Sequence, residues 1–427
     1  MQDQPDMPAA SPLMRWLDEL ALCSSEADAL TRLYLTPEHR AAALLVLGWM
    51  RGAGMAAAID AVGNVVGRYE GRVIGARALL IGSHIDTVRN AGKYDGAFGV
   101  VAGIAAVAGL HAAGERLDFA IEVIAFGDEE GVRFPATLTG SRAIAGTLDP
   151  AVLDGEDAAG ISLRAALEAF GCESAGIAAV ARRRADVIAY IELHIEQGPV
   201  LETEGLALGV VTAINGASRL SVTLTGQAGH AGTVPMGLRR DAAAAMAEMV
   251  LAVERLAGGI AECVATVGRV EVLPGAVNVI PATARFSIDL RHPDDGVRRD
   301  ALARLHGEMA AIAARRGVGL AVRTDYDVAA AACAPHLVAA LEQSVRRAGI
   351  APRRLPSGAG HDGLAIAALC PIAMLFLRCR GGISHHPAEA ILAEDADIAV
   401  RALHDFLRRF DPVMPAGRAP GAAKETP

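Results

Sequence analysis

The feature that most constrains this chain is an apolar segment that ends in potential catalytic groups. Residues Leu79 to Ile81 are followed directly by Gly82-Ser83-His84, and Asp86 and Asp95 come shortly after. Such a run indicates a buried strand. In an open α/β sheet, the residues after a strand line the crevice where ligands bind. The segment therefore predicts a strand that delivers His84 to a binding edge, with the Asp86 carboxylate accepting the second ring N–H of His84 and Asp95 as a second carboxylate within reach.

The same pattern recurs along the chain. An apolar strand ending at Phe126 is followed by Gly127-Asp128-Glu129-Glu130, strand 187–193 leads into His194, and strand 372–377 leads towards His385. Helical segments such as 96–113 separate these strands. Alternating strands and helices predict an α/β domain with a mostly parallel sheet whose carboxyl ends meet at one edge.

Between residues 215 and 327 the order of the elements changes. The pattern there predicts strand 218–225, helix 240–256, strands 264–272 and 283–290, helix 293–316 and strand 319–326. This is the βαββαβ order of a ferredoxin-like α+β domain. We therefore expect an α/β domain in two parts, 1–213 and 329–410, with an inserted domain at 214–328. The segment 411–427 is rich in Pro, Ala and Gly, and we expect a disordered tail there.

Composition and charge exclude several classes of partner. The formal net charge is −9, which lacks the basic footprint of a nucleic-acid or anionic-membrane binder. No apolar run reaches the roughly 18 residues that span a bilayer, and residues 1–12 lack the features of a signal peptide. The six cysteines form no C-x-x-C pair and are expected to be reduced core thiols. We expect a cytoplasmic protein with a small-molecule partner, bound neither to nucleic acid nor to a membrane.

Potential metal ligands follow four of the predicted strands. A single histidine is more often a core or surface residue, but the set of imidazoles and carboxylates suits Zn²⁺, Mn²⁺ or Co²⁺, with zinc preferred. One catalytic zinc normally takes three protein ligands, so a larger set indicates two divalent ions that share Asp95. Glu129 is left over, and a carboxylate beside a metal-activated water is a candidate general base. The candidate ligands are His84, Asp95, Glu130, His194 and His385, with His386 as an alternative to His385.

Six motifs occur in an order typical of one enzyme family. They are Gly-Ser-His-Ile-Asp-Thr (82–87) with Tyr-Asp-Gly (94–96), Glu-Glu-Gly-Val-Arg-Phe (129–134), Glu-Leu-His-Ile-Glu-Gln-Gly (192–198), Gly-His-Ala-Gly-Thr-Val-Pro-Met (229–236), Asn-Val-Ile-Pro (278–281) and Ser-His (384–385). Over residues 13 to 410 the chain resembles the hydantoinase/carbamoylase branch of the M20 metallopeptidase-like amidohydrolases. Peptidase relatives usually carry a carboxylate at the position of His194, so the resemblance disfavours a peptidase.

The resemblance implies a fold and a set of roles. The fold is a zinc-peptidase-like mixed sheet flanked by helices, in which the α/β domain binds the two metals and the inserted domain is a lid and forms a homodimer. His84 and His194 bind one metal, Glu130 and His385 bind the other, and Asp95 bridges them. Glu129 is the general base, and His230 and Asp86 complete the catalytic set. The residues implied in binding the substrate or its oxyanion are Gln197, His230 of the partner subunit, Asn278, Arg291 and Gly358.

The function implied is hydrolysis of a ureido C–N bond with release of ammonia and CO₂. The substrate carries a carboxylate, which the guanidinium of Arg291 suits. N-carbamoyl-L-amino acids, β-ureidopropionate and allantoate all remain open. One alternative is an aminoacylase or peptidase of the M20 type. Another is a catalytically silent binding relative, which the presence of Glu129 and all the ligands disfavours.

Overall fold

The computed structural model describes residues 12 to 412, which form two units. The first consists of the chain up to Thr212, residues 333–355 and the chain from His361 onwards. The second consists of Ala213–Ala332 and Pro356–Gly360. The predicted disordered tail, 411–427, lies outside the described residues apart from its first two positions.

The chain begins in the first unit. Its elements there are α1 (Leu13–Ala21), α2 (Pro37–Gly52), β1 (Ala56–Ile59), β2 (Val65–Tyr69), β3 (Ala78–His84), α3 (Ala97–Ala112), β4 (Ala120–Phe126), α4 (Thr139–Ala145), α5 (Leu163–Phe170), α6 (Ile177–Val180), β5 (Val187–Ile195), α7 (Val200–Glu204) and β6 (Leu208–Ile214).

The second unit follows without interruption. Its elements are β7 (Gly216–Thr225), α8 (Ala242–Gly258), β8 (Val264–Thr266), β9 (Val270–Leu273), β10 (Thr283–His292), α9 (Asp295–Arg316) and β11 (Gly319–Val328). The remaining elements are β12 (Ala331–Ala332), α10 (Pro335–Arg347), β13 (Arg354–Ser357), α11 (Gly363–Ile366), β14 (Ile372–Leu377) and α12 (Ala393–Arg409).

The larger sheet is mixed. Its strand order is β1-β2-β4-β3-β5-β14-β6-β12, with β13 also paired to β6. The central strands β4, β3, β5 and β14 are parallel, whereas β1, β2 and β6 run antiparallel to their neighbours. Every residue of β3, β4 and β14 is buried, as expected where helices cover both faces of a parallel sheet. The predicted fold class, a mixed sheet flanked by helices, is confirmed.

The parallel pairing brings the ends of the central strands to one edge. His84 pairs in register with Phe126, and His194 pairs with Phe376. Helix α3 packs against β3 and β5 at this edge. Its approach to β5 requires Gly99, because a Cβ there would overlap the carbonyl oxygen of Leu193. The sheet thus places the loops after β3, β4, β5 and β14 side by side.

The second unit has an antiparallel sheet of order β11-β7-β10-β8, with β9 also paired to β10. This is the strand order of a ferredoxin-like fold. Its core is formed by the buried apolar residues of β7 and β10 and by helices α8 and α9.

The prediction of one continuous strand over residues 264–272 of this unit was wrong. This segment is divided into β8 and β9, both paired to β10. Between the pairs Thr266–Asp289 and Val270–Phe286, the β8–β9 side has one residue more than β10. An extra residue on one strand interrupts the ladder as a bulge does.

Two findings bear on the predictions from composition. Within residues 12–412, no helix is long and apolar enough to cross a membrane. All six cysteines are free thiols, and four of them are buried. Cytoplasmic location stays a prediction.

Candidate metal centre

The carboxylate of Asp95 lies between three imidazoles. Its Oδ1 is 3.1 Å from His194 Nε2 and 3.6 Å from His84 Nε2, and its Oδ2 is 3.2 Å from His385 Nε2. Asp95 precedes α3, His84 ends β3, His194 lies in β5 and His385 follows β14. The strand ends therefore bring three imidazoles that are distant in the sequence to one carboxylate.

Among residues 12–412, three overlapping groups of side chains have ligand atoms within 4.8 Å of one another. Asp95 is common to two of them, one formed with His84 and His194 and the other with Glu130 and His385. His84 also groups with Glu129 and Glu130. Mixed imidazole and carboxylate donors suit Zn²⁺, Mn²⁺ or Co²⁺, so the donor chemistry of these residues fits divalent metal ions.

Two imidazoles are oriented by backbone carbonyls. The Nδ1 of His84 is 3.0 Å from the carbonyl oxygen of Asp86, and the Nδ1 of His194 is 2.9 Å from that of Ile195. A carbonyl oxygen can only accept, so each ring donates its Nδ1–H there. Each ring therefore directs its Nε2 towards Asp95, and in the neutral form of the ring this Nε2 is the atom that can bind a metal.

The prediction that the Asp86 carboxylate accepts the second ring N–H of His84 was wrong. The carboxylate oxygen is 3.8 Å from His84 Nδ1, too far for a hydrogen bond. The two carboxylate oxygens accept backbone N–H groups instead, Oδ1 that of Glu129 and Oδ2 that of Glu130, each at 3.2 Å. Asp128, with φ +67°, makes the turn that presents these two N–H groups. Asp86 thus holds the backbone of the Glu129–Glu130 pair.

Burial and mutual repulsion act on the carboxylates of this site. Burial raises the pKa of Glu129 well above its usual value, and the charge on Glu130 adds to the effect. Burial likewise raises the pKa of Glu130 to about 7. Burial would also raise the pKa of Asp95, but hydrogen bonds with the three imidazoles hold it well below its usual value. A cation bound among these groups would favour the charged form of all three.

Gln197 also contacts Asp95. Its Nε2 donates to Asp95 Oδ2 at 2.8 Å and to Ser384 Oγ at 3.2 Å. Gln197 and His385 both have φ +56°, a conformation that non-glycine residues adopt only where the surroundings enforce it. Substrate contact by Gln197 stays a prediction. His386 accepts the N–H of Ala388 on its Nδ1, and His385 is the imidazole that faces Asp95.

Two buried residues at this edge were missed in the sequence. Glu389 accepts the backbone N–H groups of Tyr94 and Asp95, and Arg32 donates through Nε to the carbonyl oxygen of Ile85. Burial lowers the pKa of Arg32 to about 10. Neither residue stands at a predicted strand end. The sequence signal that could have indicated Glu389 is Pro387, because proline is typical of turns. The turn spans residues 386–389, and in it the N–H of Glu389 donates to the carbonyl of His386.

The predicted substrate residues of the second unit lie in two pairs. His230 forms a strand-like bridge with Val279, and the carbonyl of Asn278 accepts the N–H of Ala231. Arg291 donates through Nη1 to the carbonyl of Gly358 at 2.8 Å. Its Nε and Nη2 donate to the carboxylate of Asp289 at 2.7 and 2.9 Å. The guanidinium is therefore held on one side by an acidic neighbour, and substrate binding by these residues stays a prediction.

The comparisons with known proteins agree with this fold. The family model described as Peptidase family M20/M25/M40 matches residues 80–409. The N-carbamoyl-L-amino acid amidohydrolase of Geobacillus stearothermophilus is 42% identical over 378 residues, which cover 88% of this chain and 92% of that protein. The allantoate deiminase of Arabidopsis thaliana is 40% identical over 425 residues, covering 92% and 80%. The crystal structure of a hydantoinase/carbamoylase family amidase from Burkholderia multivorans matches with a TM-score of 0.88 and 34% identity, covering 93% of this chain and 97% of that one.

The chain thus belongs to peptidase family M20/M25/M40. Its relatives are named as amidohydrolases and deiminases, and its structural neighbours as hydantoinase/carbamoylase amidases. Within the family the protein is therefore a hydantoinase/carbamoylase-type amidohydrolase, a hydrolase of C–N bonds other than peptide bonds. The resemblance found in the motifs is confirmed.

Proposed function

We propose that this enzyme hydrolyses the ureido C–N bond of an N-carbamoyl-L-amino acid or of allantoate and that it needs two divalent metal ions. In the overall reaction, R–NH–CO–NH₂ and water become R–NH₂, CO₂ and NH₃. The observation that carries the proposal is the Asp95 carboxylate between three imidazoles. Relatives named for both substrates support it.

In this proposal, His84 and His194 hold one ion, Glu130 and His385 hold the other, and Asp95 contacts both. Zinc suits these donors, with manganese and cobalt as alternatives. Such ions polarise a carbonyl oxygen and lower the pKa of a water molecule. The two oxygens of Asp95 face different imidazoles, which supports its assignment as the shared ligand.

Glu129 acts as the general base. Its Oε2 lies 3.9 Å from His84 Nε2, so it borders the metal-binding groups, and its raised pKa suits a group that takes and returns a proton. Glu129 removes a proton from water as the water attacks the ureido carbon, and it returns the proton to the terminal nitrogen, which leaves as ammonia when its C–N bond breaks. The carbamate that remains on the R–NH nitrogen then loses CO₂ to give R–NH₂. Asp86 keeps Glu129 in place through the backbone.

The substrate is held by groups of complementary charge. Arg291 binds its carboxylate together with Asn278 and Gly358, and a guanidinium offers paired N–H donors for this purpose. Gln197 and His230 bind the ureido oxygen as negative charge develops on it. His230 belongs to the partner subunit in the proposed arrangement.

We further propose that the inserted domain, residues 214–328, is a lid and mediates a homodimer. Strands β8 and β9 lie at one edge of its sheet, beside β10, which supports a partner surface there because an edge strand has unpaired backbone groups that can pair with another chain.

The test is an ammonia-release assay. The protein is stripped of metal, reconstituted with Zn²⁺, Mn²⁺ or Co²⁺, and offered N-carbamoyl-L-amino acids, β-ureidopropionate and allantoate in separate reactions. We expect release from at least one of the three, dependent on added metal and lost in Glu129→Gln. An N-acyl amino acid and a dipeptide serve as controls. Hydrolysis of these controls without ammonia release from any ureido compound would refute the proposal.

A further inference from the structure

Glu389 makes unusual contacts with the loop that carries Asp95. The residue is 5% exposed and follows His385 by four positions. Its Oε1 accepts two consecutive backbone N–H groups, those of Tyr94 at 2.8 Å and of Asp95 at 3.1 Å. One carboxylate oxygen therefore holds the backbone of Asp95 from a segment almost three hundred residues away.

The other oxygen of Glu389 reaches the side chain of Asp95 through a serine. Ser384 Oγ is 3.0 Å from Glu389 Oε2 and 2.7 Å from Asp95 Oδ2. Ser384 immediately precedes His385, whose Nε2 lies 3.2 Å from the same Asp95 oxygen. The loop after β14 thus contributes both a proposed metal ligand and the groups that hold Asp95.

The packing leaves this arrangement little freedom. A Cβ on Gly92 would overlap the side chain of Glu389, so the segment before Asp95 lies directly on the carboxylate. No Lys, Arg or His forms an ion pair with Glu389 among residues 12–412. The described hydrogen-bond partners of its carboxylate are the N–H groups of Tyr94 and Asp95, at Oε1, and the hydroxyl of Ser384, at Oε2.

We propose that Glu389, acting with Ser384, is the positioning residue that sets the orientation of the Asp95 carboxylate for both metal ions. The inference rests on the proposed role of Asp95 as their shared ligand. Groups that orient a ligand in this way typically change metal affinity or activity by about 10- to 100-fold when they are removed.

The hydrogen-bond pattern defines which substitution should be tolerated. A glutamine at 389 has one oxygen that can accept both N–H groups and an NH₂ that can donate to Ser384. Ser384 then keeps its own hydrogen for Asp95 Oδ2. Alanine removes all of these contacts, and aspartate keeps the charge but shortens the side chain by one methylene.

The experiment measures metal binding without substrate. Metal-free full-length protein is titrated with Zn²⁺, and in parallel with Mn²⁺, against a chromophoric chelator. The variants are Glu389→Ala, Glu389→Gln and Ser384→Ala. Glu394→Ala is the matched control, because it removes an exposed glutamate at the start of α12. Circular dichroism establishes that each variant is folded.

We expect two ions per chain in the wild type and the control. Glu389→Ala should weaken both by about tenfold or more, and Glu389→Gln should stay within about threefold of the wild type. Ser384→Ala should weaken mainly the ion held by Glu130 and His385, because the serine contacts the Asp95 oxygen that faces His385.

Several results would overturn the inference. These are wild-type affinity for both ions in Glu389→Ala, an equal loss in Glu389→Gln and Glu389→Ala, or fewer than two ions in the wild type. If Glu389→Ala does not fold, Glu389→Asp takes its place with the same expected loss, and tight binding by that variant would be equally decisive. Binding of two ions without release of ammonia from any ureido compound would refute the proposed function and leave this inference standing.

Discussion

Replacement of Asp86 by asparagine tests the part of the site where the structure departs from the sequence prediction. In the structure, the carboxylate accepts the N–H groups of Glu129 and Glu130 at 3.2 Å each. An asparagine amide has one oxygen and one NH₂ group, so it can satisfy only one of these two donors. The other N–H would face a second donor in a buried position.

The magnitude follows from that unsatisfied group. A buried donor without a partner costs about 1–3 kcal/mol. If the cost appears as displacement of Glu129 from its working position, kcat/KM should fall by about 5- to 150-fold. The metal held by His84 should be retained, because His84 donates to the backbone carbonyl of Asp86 and not to its side chain.

The assay combines ammonia-release kinetics with metal analysis of the same preparation, and Asp118→Asn, a change at an exposed carboxylate, is the control. If Asp86→Asn lost zinc while a zinc-saturated sample kept full kcat/KM, the carboxylate would act on His84 after all. Unchanged kinetics and unchanged metal content together would remove Asp86 from the site.

Four further predictions follow from the site. Asp95→Asn should lower occupancy at both metal positions, as measured by elemental analysis after dialysis against a chelator, and full occupancy with full activity would contradict a shared ligand. Glu129→Gln should retain the metals and nearly the same KM while kcat falls about 100-fold or more, and loss of metal instead would make this residue a ligand. Arg291→Lys should mainly raise KM for carboxylate substrates, because an ammonium cannot donate two parallel hydrogen bonds to a substrate while also pairing with Asp289. If the wild-type enzyme hydrolysed a carboxylate substrate and its carboxamide analogue equally well, this role of Arg291 would be wrong. Mixing His230→Ala chains with Glu129→Gln chains should restore up to about half of the wild-type activity per heterodimer, because one of the two sites of the heterodimer then carries neither defect. If the subunits exchange and no activity returns, His230 acts in the site of its own chain.

The strand ends and the types of side chain that follow them could be predicted from the sequence. An apolar run that stops at Gly-Ser-His or at Asp-Glu-Glu is a local pattern, and the direction of a parallel strand determines the edge at which its end lies. His84, Glu130, His194 and His385 could therefore be proposed as neighbours without coordinates. The motifs in their order were sufficient for the family, which the comparisons confirm.

The partners of the buried carboxylates were decided only by the tertiary structure. Asp86 lies two residues from His84, yet its carboxylate binds the loop after β4, because the turn at Asp128 presents two N–H groups there. Glu389 reaches Asp95 across 294 residues through the folding of the loop after β14. Arg291 pairs with Asp289 two residues away, because alternate residues of β10 lie on the same side of the strand. Side-chain hydrogen bonds depend on which loops meet in space, and a buried carboxylate accepts hydrogen bonds from the donors that the fold places near it. Local sequence patterns therefore identify the candidate metal ligands but not the groups that hold these ligands in position.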